Sequence, residues 1–245
     1  MTAVTAPSSR WAFLVLLGVL TLSPVGANAG VSPEEAKMFE DYKSLAEKGD
    51  ANGQLQLGDC YSYGQGVAKD ESRAFLWYGK AAQQGNATAQ LNLSVCYEKG
   101  KGVARDLDQA IVWLRKASEQ GNPMARSNLA GHYNSGLGVE KDEVKAAALF
   151  RIDAERGYAP SQRNLAVAYF YGRGVSRDLV EAYAYLTLAS EDDALARKFR
   201  KIIESEWSKS HSVLEVSPQI ELGKKRAIEL SREFQEKMAA KKAGK

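Results

Sequence analysis

The chain is poor in the residues that most chemistry needs. Among its 245 residues there are two histidines, His132 and His211, and two cysteines, Cys60 and Cys96. So few histidines leave little material for a Ser-His-Asp triad or a His-Glu-x-x-His zinc site. After residue 29 no serine is followed three residues later by lysine, which removes the serine β-lactamase motif. Four Gly-x-Gly stretches exist, but none continues to Gly-x-Gly-x-x-Gly or follows a strand. No Gly-Lys-Ser/Thr is present either, so nucleotide binding is not expected. Carboxylates are plentiful, yet they fall at helix caps and on solvated faces rather than in an acid–base pair. No position is therefore assigned a catalytic, metal-ligating or cofactor-binding role.

Long apolar runs are equally scarce. The one clear case is Trp11 to Leu22, too short to cross a bilayer comfortably as a mature helix. Arg10 precedes it and Ala27-Asn28-Ala29 follows, so residues 1–29 read as a signal peptide, with a mature start at Gly30. No cysteine follows the run, which argues against a lipoprotein, and no second run predicts a membrane span after processing. The expected location is periplasmic or secreted.

Excess charge of one sign is also missing from the chain as a whole, which carries +3. The balance is uneven, however. From Ala194 to the end there are thirteen Lys/Arg against seven Asp/Glu, while residues 30–193 are net acidic. A nucleic-acid binder needs a continuous basic face, so that partner class is not expected. The basic tail can meet an acidic partner or an anionic membrane; a solvated helix face is the plainer reading.

What is abundant is repetition. Four units recur every 36 residues: Ala51 to Asn86, Ala87 to Asn122, Pro123 to Tyr158, and one from Ala159 that fades near Asp193. Leu57, Leu93, Leu129 and Leu165 are each followed four residues later by Tyr61, Tyr97, Tyr133 and Tyr169. A Gly-x-Gly-Val follows (Gly64-Gly66-Val67 in the first unit), then Asp70, Asp106, Asp142 or Asp178, then an alanine and a large residue. Leu and Tyr at i and i+4, beside a small residue such as Gly58 or Ser94, make one apolar stripe on a first helix. The glycines end it by allowing positive φ, and the Asp caps a second helix. Asp106 with Gln109 and Asp178 with Glu181 are spaced as capping boxes. Such a period signals stacked supersecondary units.

The fold predicted is all-α: a right-handed α-solenoid of about four helix pairs over residues 30–193. Glu35 to Asp50 aligns with the second half of a unit, so a lone second-type helix starts the array. Residues 194–245 form a cap of two helices with a basic tail. The first runs from Ala194 to Ser210. The second starts with Ser217-Pro218 as N-cap and first position and continues to about Ala240, with Ile220, Ala227, Ile228, Phe234 and Met238 near one face.

One polar stripe recurs as faithfully as the apolar one. Gln56, Asn92, Asn128 and Asn164 precede the repeat leucines, although amides are poor helix-interior residues. First helices line the concave face of such arrays. There an amide ladder can serve the backbone of an extended peptide, or it can tie neighbouring repeats together; both readings stand. Residues three, four and seven further on share the face, adding Asp59, Cys60 and Tyr63; Cys96 and Lys99; His132; and Ala168 and Tyr171. The partner-binding candidates are Gln56, Asp59, Tyr63, Asn92, Lys99, Asn128, His132, Asn164 and Tyr171. Adjacent packed helices lie about 8–10 Å apart, beyond the reach of a disulfide, so Cys60 and Cys96 are expected as half-buried free thiols.

The unit AQLNLSVCYEKGKGVARDLDQAIVWLRKASEQGN resembles the Sel-one-like repeat, a relative of the tetratricopeptide repeat. The Gly-x-Gly-Val-x-x-Asp loop between its helices is the distinguishing mark, and the likeness runs from about Glu35 to Ser190. The third copy departs most, with Ile152-Asp153-Ala154 where Lys80-Ala81-Ala82 stands in the first. The stretch SPQIELGKKRAIEL looks like the tail of many exported members. The resemblance implies bacterial adaptor and regulatory roles through protein contacts, hence a non-enzymatic scaffold of the envelope. The alternatives are a cell-wall or β-lactam hydrolase, since cysteine-rich members have been described as β-lactamase-like, and a secreted host-interaction protein.

Overall fold

The structure, a computed structural model, describes residues 31–189, 193–210 and 213–243. The expected signal peptide and His211 lie outside them. Among the described residues there are eleven α-helices and no strand. They are α1 (Pro33–Glu47), α2 (Ala51–Tyr63), α3 (Glu71–Gln83), α4 (Ala87–Lys99), α5 (Leu107–Glu119), α6 (Pro123–Ser135), α7 (Glu143–Ala154), α8 (Ala159–Tyr171), α9 (Leu179–Leu188), α10 (Ala194–Ser210) and α11 (Val213–Ala243). No helix among them is long and apolar enough to cross a membrane. From α1 to α9 each helix packs mainly on the next, as in a solenoid.

Each helix pair is punctuated as the sequence predicts. Gly64, Gly100, Gly136 and Gly172 adopt left-handed conformations that end the first helices. Asp70, Asp106, Asp142 and Asp178 then cap the second helices, accepting from backbone N–H groups at 2.8–3.0 Å. The two expected capping boxes do not close. The N–H groups of Asp106 and Asp178 already donate to the carbonyls of Tyr97 and Tyr169, so the box partner has no donor to meet. A capping box forms instead at Ser32, whose Oγ accepts from Glu35 N while Glu35 returns a bond to Ser32 N.

The second glycine of three loops, Gly66, Gly102 and Gly174, locks one repeat to the helix before it. A Cβ on Gly102 would sit 2.1 Å from the Glu71 carbonyl oxygen in the first turn of α3. Gly66 meets the Glu35 carbonyl of α1 in the same way, at 2.3 Å. Phe39 stands edge-on to Tyr61 at 5.6 Å just as Phe75 does to Tyr97 at 5.3 Å. Thus α1 plays the part of a second helix for the first full unit, as its sequence register implied.

The C-terminal cap differs from expectation in one helix. α10 has the predicted bounds, but α11 begins at Val213, so Pro218 lies inside it rather than at its start. Pro218 is the sixth residue of α11, past the four N–H groups that lack an intrahelical partner, so it removes one hydrogen bond from the early turns of the ladder. Docking on α9 supports the rest. Ile220, Gly223, Ala227, Leu230 and Phe234 form the inward face, while Ile228 and Met238 are exposed. A Cβ on Gly223 would lie 2.7 Å from the Tyr183 ring, so the missing side chain admits α11 to close range. Tyr183 also packs against Trp207 of α10, and Arg226 bonds Glu181 of α9 at 2.6 Å. These contacts cover the end of the array.

Candidate protein-binding groove

The first helices α4, α6 and α8 line a cleft of about 550 Å³. Four of the nine predicted positions meet there: Lys99, Asn128, His132 and Asn164. Gln56, Asp59, Tyr63 and Asn92, on α2 and α4, are not part of its lining, nor is Tyr171 at the end of α8. Tyr63 and Tyr171 are exposed.

The recurrent amides divide between the two roles. Asn92 Nδ2 reaches back to Asp59 Oδ1 at 3.3 Å, and Asn164 Nδ2 to Ser127 Oγ at 3.3 Å, so both tie a helix to its predecessor. Asn128 is exposed in the cleft and makes no side-chain hydrogen bond among the described residues; Gln56 makes none either. Asp59 is fixed further by the Tyr78 hydroxyl at 2.7 Å, and burial holds its carboxyl above the ordinary range despite that bond.

His132 is placed by two contacts. Its Nδ1 lies 2.7 Å from the Leu137 carbonyl, which can only accept, so Nδ1 carries the proton. Nε2 is left 3.8 Å from Glu98 Oε2. Glu98 and Phe150, which also line the cleft, escaped the sequence reading. Helical spacing from Asn92 reaches Lys99 on α4 rather than Glu98, and Phe150 arrives from α7, which periodicity on α6 does not reach. The positions four beyond the amides also sit deeper than expected: Cys60, Cys96 and Ala168 are all buried. They follow the repeat leucines by three residues and so turn with them into the core. Both cysteines are free thiols, as expected, but buried rather than half-buried, and burial pushes Cys96 up to about 11 and Cys60 in the same direction.

Other buried polar ties, some to the preceding helix pair and some within one, lie on residues outside the predicted partner-binding set. Gln54, Gln90 and Gln162 are buried, and each donates to a carbonyl eight residues back: Ala46, Ala82 and Ala154, at 3.1–3.3 Å. Gln54 and Gln90 also accept from Gln84 and Gln120 at 2.7 Å. The third unit has Arg126 at this position. It donates to the Ser118 carbonyl at 3.1 Å and pairs with Asp153, a buried carboxylate where the other units carry alanine. The departure of the third copy is thus half of a paired exchange. The signal for it was present, since Arg126 breaks a Gln series as plainly as Asp153 breaks an Ala series.

The chain is an all-helical repeat protein whose exposed polar chemistry sits between stacked units, the form of an interaction scaffold. The Sel1 repeat profile matches residues 51–86, 87–122, 123–158 and 159–193, more than half of the chain, and the chain belongs to the Sel1 repeat family. Arrays of this family generally mediate protein–protein interaction. A Sel1 repeat protein from Oxalobacter formigenes is similar, with 31% identity and a TM-score of 0.62, over 69% of this chain and 49% of that one. This chain therefore spans about half the length of that relative. A Sel1 repeat protein from Klebsiella pneumoniae, 21% identical with a TM-score of 0.51, covers 79% of this chain and 99% of its own, and shows the fold alone. Comparison with curated proteins gives no match.

Proposed function

We propose that the chain is a non-enzymatic scaffold of the bacterial envelope that holds an extended segment of a partner protein against α4, α6 and α8. The observation carrying this reading is the Asn128 amide, recurrent in kind yet without a partner among the described residues, in the wall of a cleft of about 550 Å³. An amide offers both donors and an acceptor, which matches a peptide backbone. Lys99 and Glu98 give the rim charges that fix register and select partners. The apolar run and Ala27-Asn28-Ala29 support an exported location, with the mature chain starting at Gly30.

The test is crosslinking in the envelope, identification of the captured partner, and titration with the purified chain. Asn128→Ala combined with Lys99→Ala weakens that complex while the melting curve holds, because both side chains are exposed. Unchanged affinity in the double variant refutes the groove. Terminal sequencing of envelope-fraction protein checks the start at Gly30; an intact N-terminus refutes cleavage.

A further inference from the structure

His132 departs from its repeat series as Arg126 and Asp153 do from theirs. The equivalent positions hold Cys60, Cys96 and Ala168, all small and buried. The imidazole in their place is 6% exposed, yet it lines the cleft on α4, α6 and α8. Its Nδ1–H is engaged by the Leu137 carbonyl at 2.7 Å, so in the neutral ring Nε2 keeps a free lone pair. Nε2 has no hydrogen-bond partner among the described residues, and it is not sealed from solvent. The side-chain atoms there that are both sealed and unbonded belong to Asp153, Ser161 and Gln162.

Glu98, which faces it, is a second departure. The other units have Ser62, Asn134 and Phe170 at this position, and the Glu98 carboxylate lines the same cleft, 31% exposed. Its Oε2 lies 3.8 Å from Nε2, too far for a hydrogen bond. Two acceptors with nothing between them repel, and a guest that fills the cleft without a donor strips both of water. One donor nitrogen about 2.8 Å from each satisfies the pair. A lysine ammonium carries three N–H donors on one atom, and its charge is answered by the carboxylate. The guanidinium fork matches the two oxygens of one carboxylate, whereas these acceptors belong to different residues on α4 and α6. Val95, Leu137, Phe150 and Val167 in the same cleft suit the methylene stem of lysine. Residues 30–193 are net acidic, which draws a cation toward the array.

We propose that the groove recognises a lysine side chain of its partner segment, with the ammonium seated between Glu98 and His132. This rests on the groove reading and names the chemistry that the groove selects. Glu98 supplies the charge and His132 Nε2 the second acceptor, while the Leu137 carbonyl holds the ring in the tautomer that leaves Nε2 open. Lys99, one residue on and about 100° around α4, is exposed and unpaired among the described residues, and it is left to meet an acceptor of the same segment.

The test titrates the full chain, in a His211→Gln background that leaves one imidazole, with acetylated Ser-Thr-Val-Lys-Val-Thr-Ser-amide and its norleucine and arginine analogues. Binding is followed by the ring-nitrogen NMR signals of His132 at about pH 8, above the ordinary imidazole range. The lysine peptide shifts the Nε2 signal saturably and binds about tenfold or more tightly than the norleucine peptide. Glu98→Gln abolishes that preference, because a glutamine has no charge and its amide can itself donate to Nε2. The Glu98 side chain is partly exposed and makes no hydrogen bond among the described residues, so the melting curve of this variant stays in place. The proposal is overturned by an Nε2 signal that does not move at millimolar lysine peptide, or by a norleucine or arginine peptide that binds as tightly. An unchanged lysine preference in Glu98→Gln overturns it as well. Asn128→Ala separates this site from the groove reading. A lysine preference kept there with no loss of affinity upholds the ammonium site and refutes the role of the amide. Equal binding of the lysine and norleucine peptides, weakened by Asn128→Ala, overturns the ammonium site alone.

Discussion

Replacing Arg126 by Gln and Asp153 by Ala, singly and together, rebuilds one rung of the inter-repeat ladder in the form its neighbours use. The two side chains are 9% and 2% exposed, so the pair has left water almost entirely. Its compensation is incomplete, because Asp153 Oδ2 has no hydrogen bond among the described residues and Arg156 stands off at 3.8 Å. Breaking a buried pair strands the surviving charge and costs about 3–5 kcal/mol, so each single variant is strongly destabilised. Independent effects would sum to about 6–10 kcal/mol. The double variant instead places an amide opposite the Ser118 carbonyl and a methyl where Ala81 and Ala117 stand. Exchange of a buried ion pair for well-packed neutral residues is often neutral or stabilising, so the double variant falls within about 2 kcal/mol of the parent. The coupling is then about 4 kcal/mol or more. In thermal unfolding by circular dichroism the singles melt about 6–20 °C below the parent, and the double within a few degrees of it. Because stability in a solenoid is local, hydrogen exchange should show the loss centred on α6 and α7. A double variant as unstable as the two singles combined refutes the reasoning.

Three further outcomes follow from the geometry. Gly102→Ala costs about 3 kcal/mol or more, because it adds backbone overlap with Glu71 to the left-handed strain. Gly100→Ala carries the strain alone, at about 1–2 kcal/mol; equal losses in urea unfolding refute the inter-repeat role of the second glycine. Asp59 is held above its ordinary 3.8 by burial, so the folded chain binds that proton more tightly than the unfolded one. Stability then falls as pH rises from the ordinary carboxylate range through the raised folded value. Asp59→Asn removes that fall, and its melting temperature gains on the parent as pH rises out of the ordinary carboxylate range; a constant gap refutes the assignment. Finally, Cys60 and Cys96 stay unreactive toward dithiobis-nitrobenzoate in the native chain and both titrate after unfolding, because burial keeps them protonated and covered.

The groove was only partly legible, for a reason that lies in helix geometry. Gln54 and Gln56 are two positions apart, roughly 200° around a helix, and both recur as polar residues. Nothing in either position says which one meets the neighbouring repeat. Stacking buries Gln54 and Gln90 and leaves Gln56 without a partner among the described residues. Asn92 and Asn128 occupy equivalent positions, yet one is tied to Asp59 and the other is open; where Asp59 stands in the first unit, the second has Val95. That difference is in the sequence, but it gains meaning only once α2 is known to lie against α4.

By itself the sequence determined the period, the turns and the caps. These are local events: a glycine at positive φ, an aspartate within three residues of the N–H groups it receives, an apolar stripe at helical spacing. They also placed α1 as a second-type helix and bounded α10. Only the tertiary structure decided the pairing of Arg126 with Asp153 and the length and inward face of α11. It alone brought Glu98, His132 and Phe150 around one cleft. Those outcomes join residues 18 or more positions apart on different helices. Their geometry is set by how one helix surface seats against another, which no short window of sequence contains.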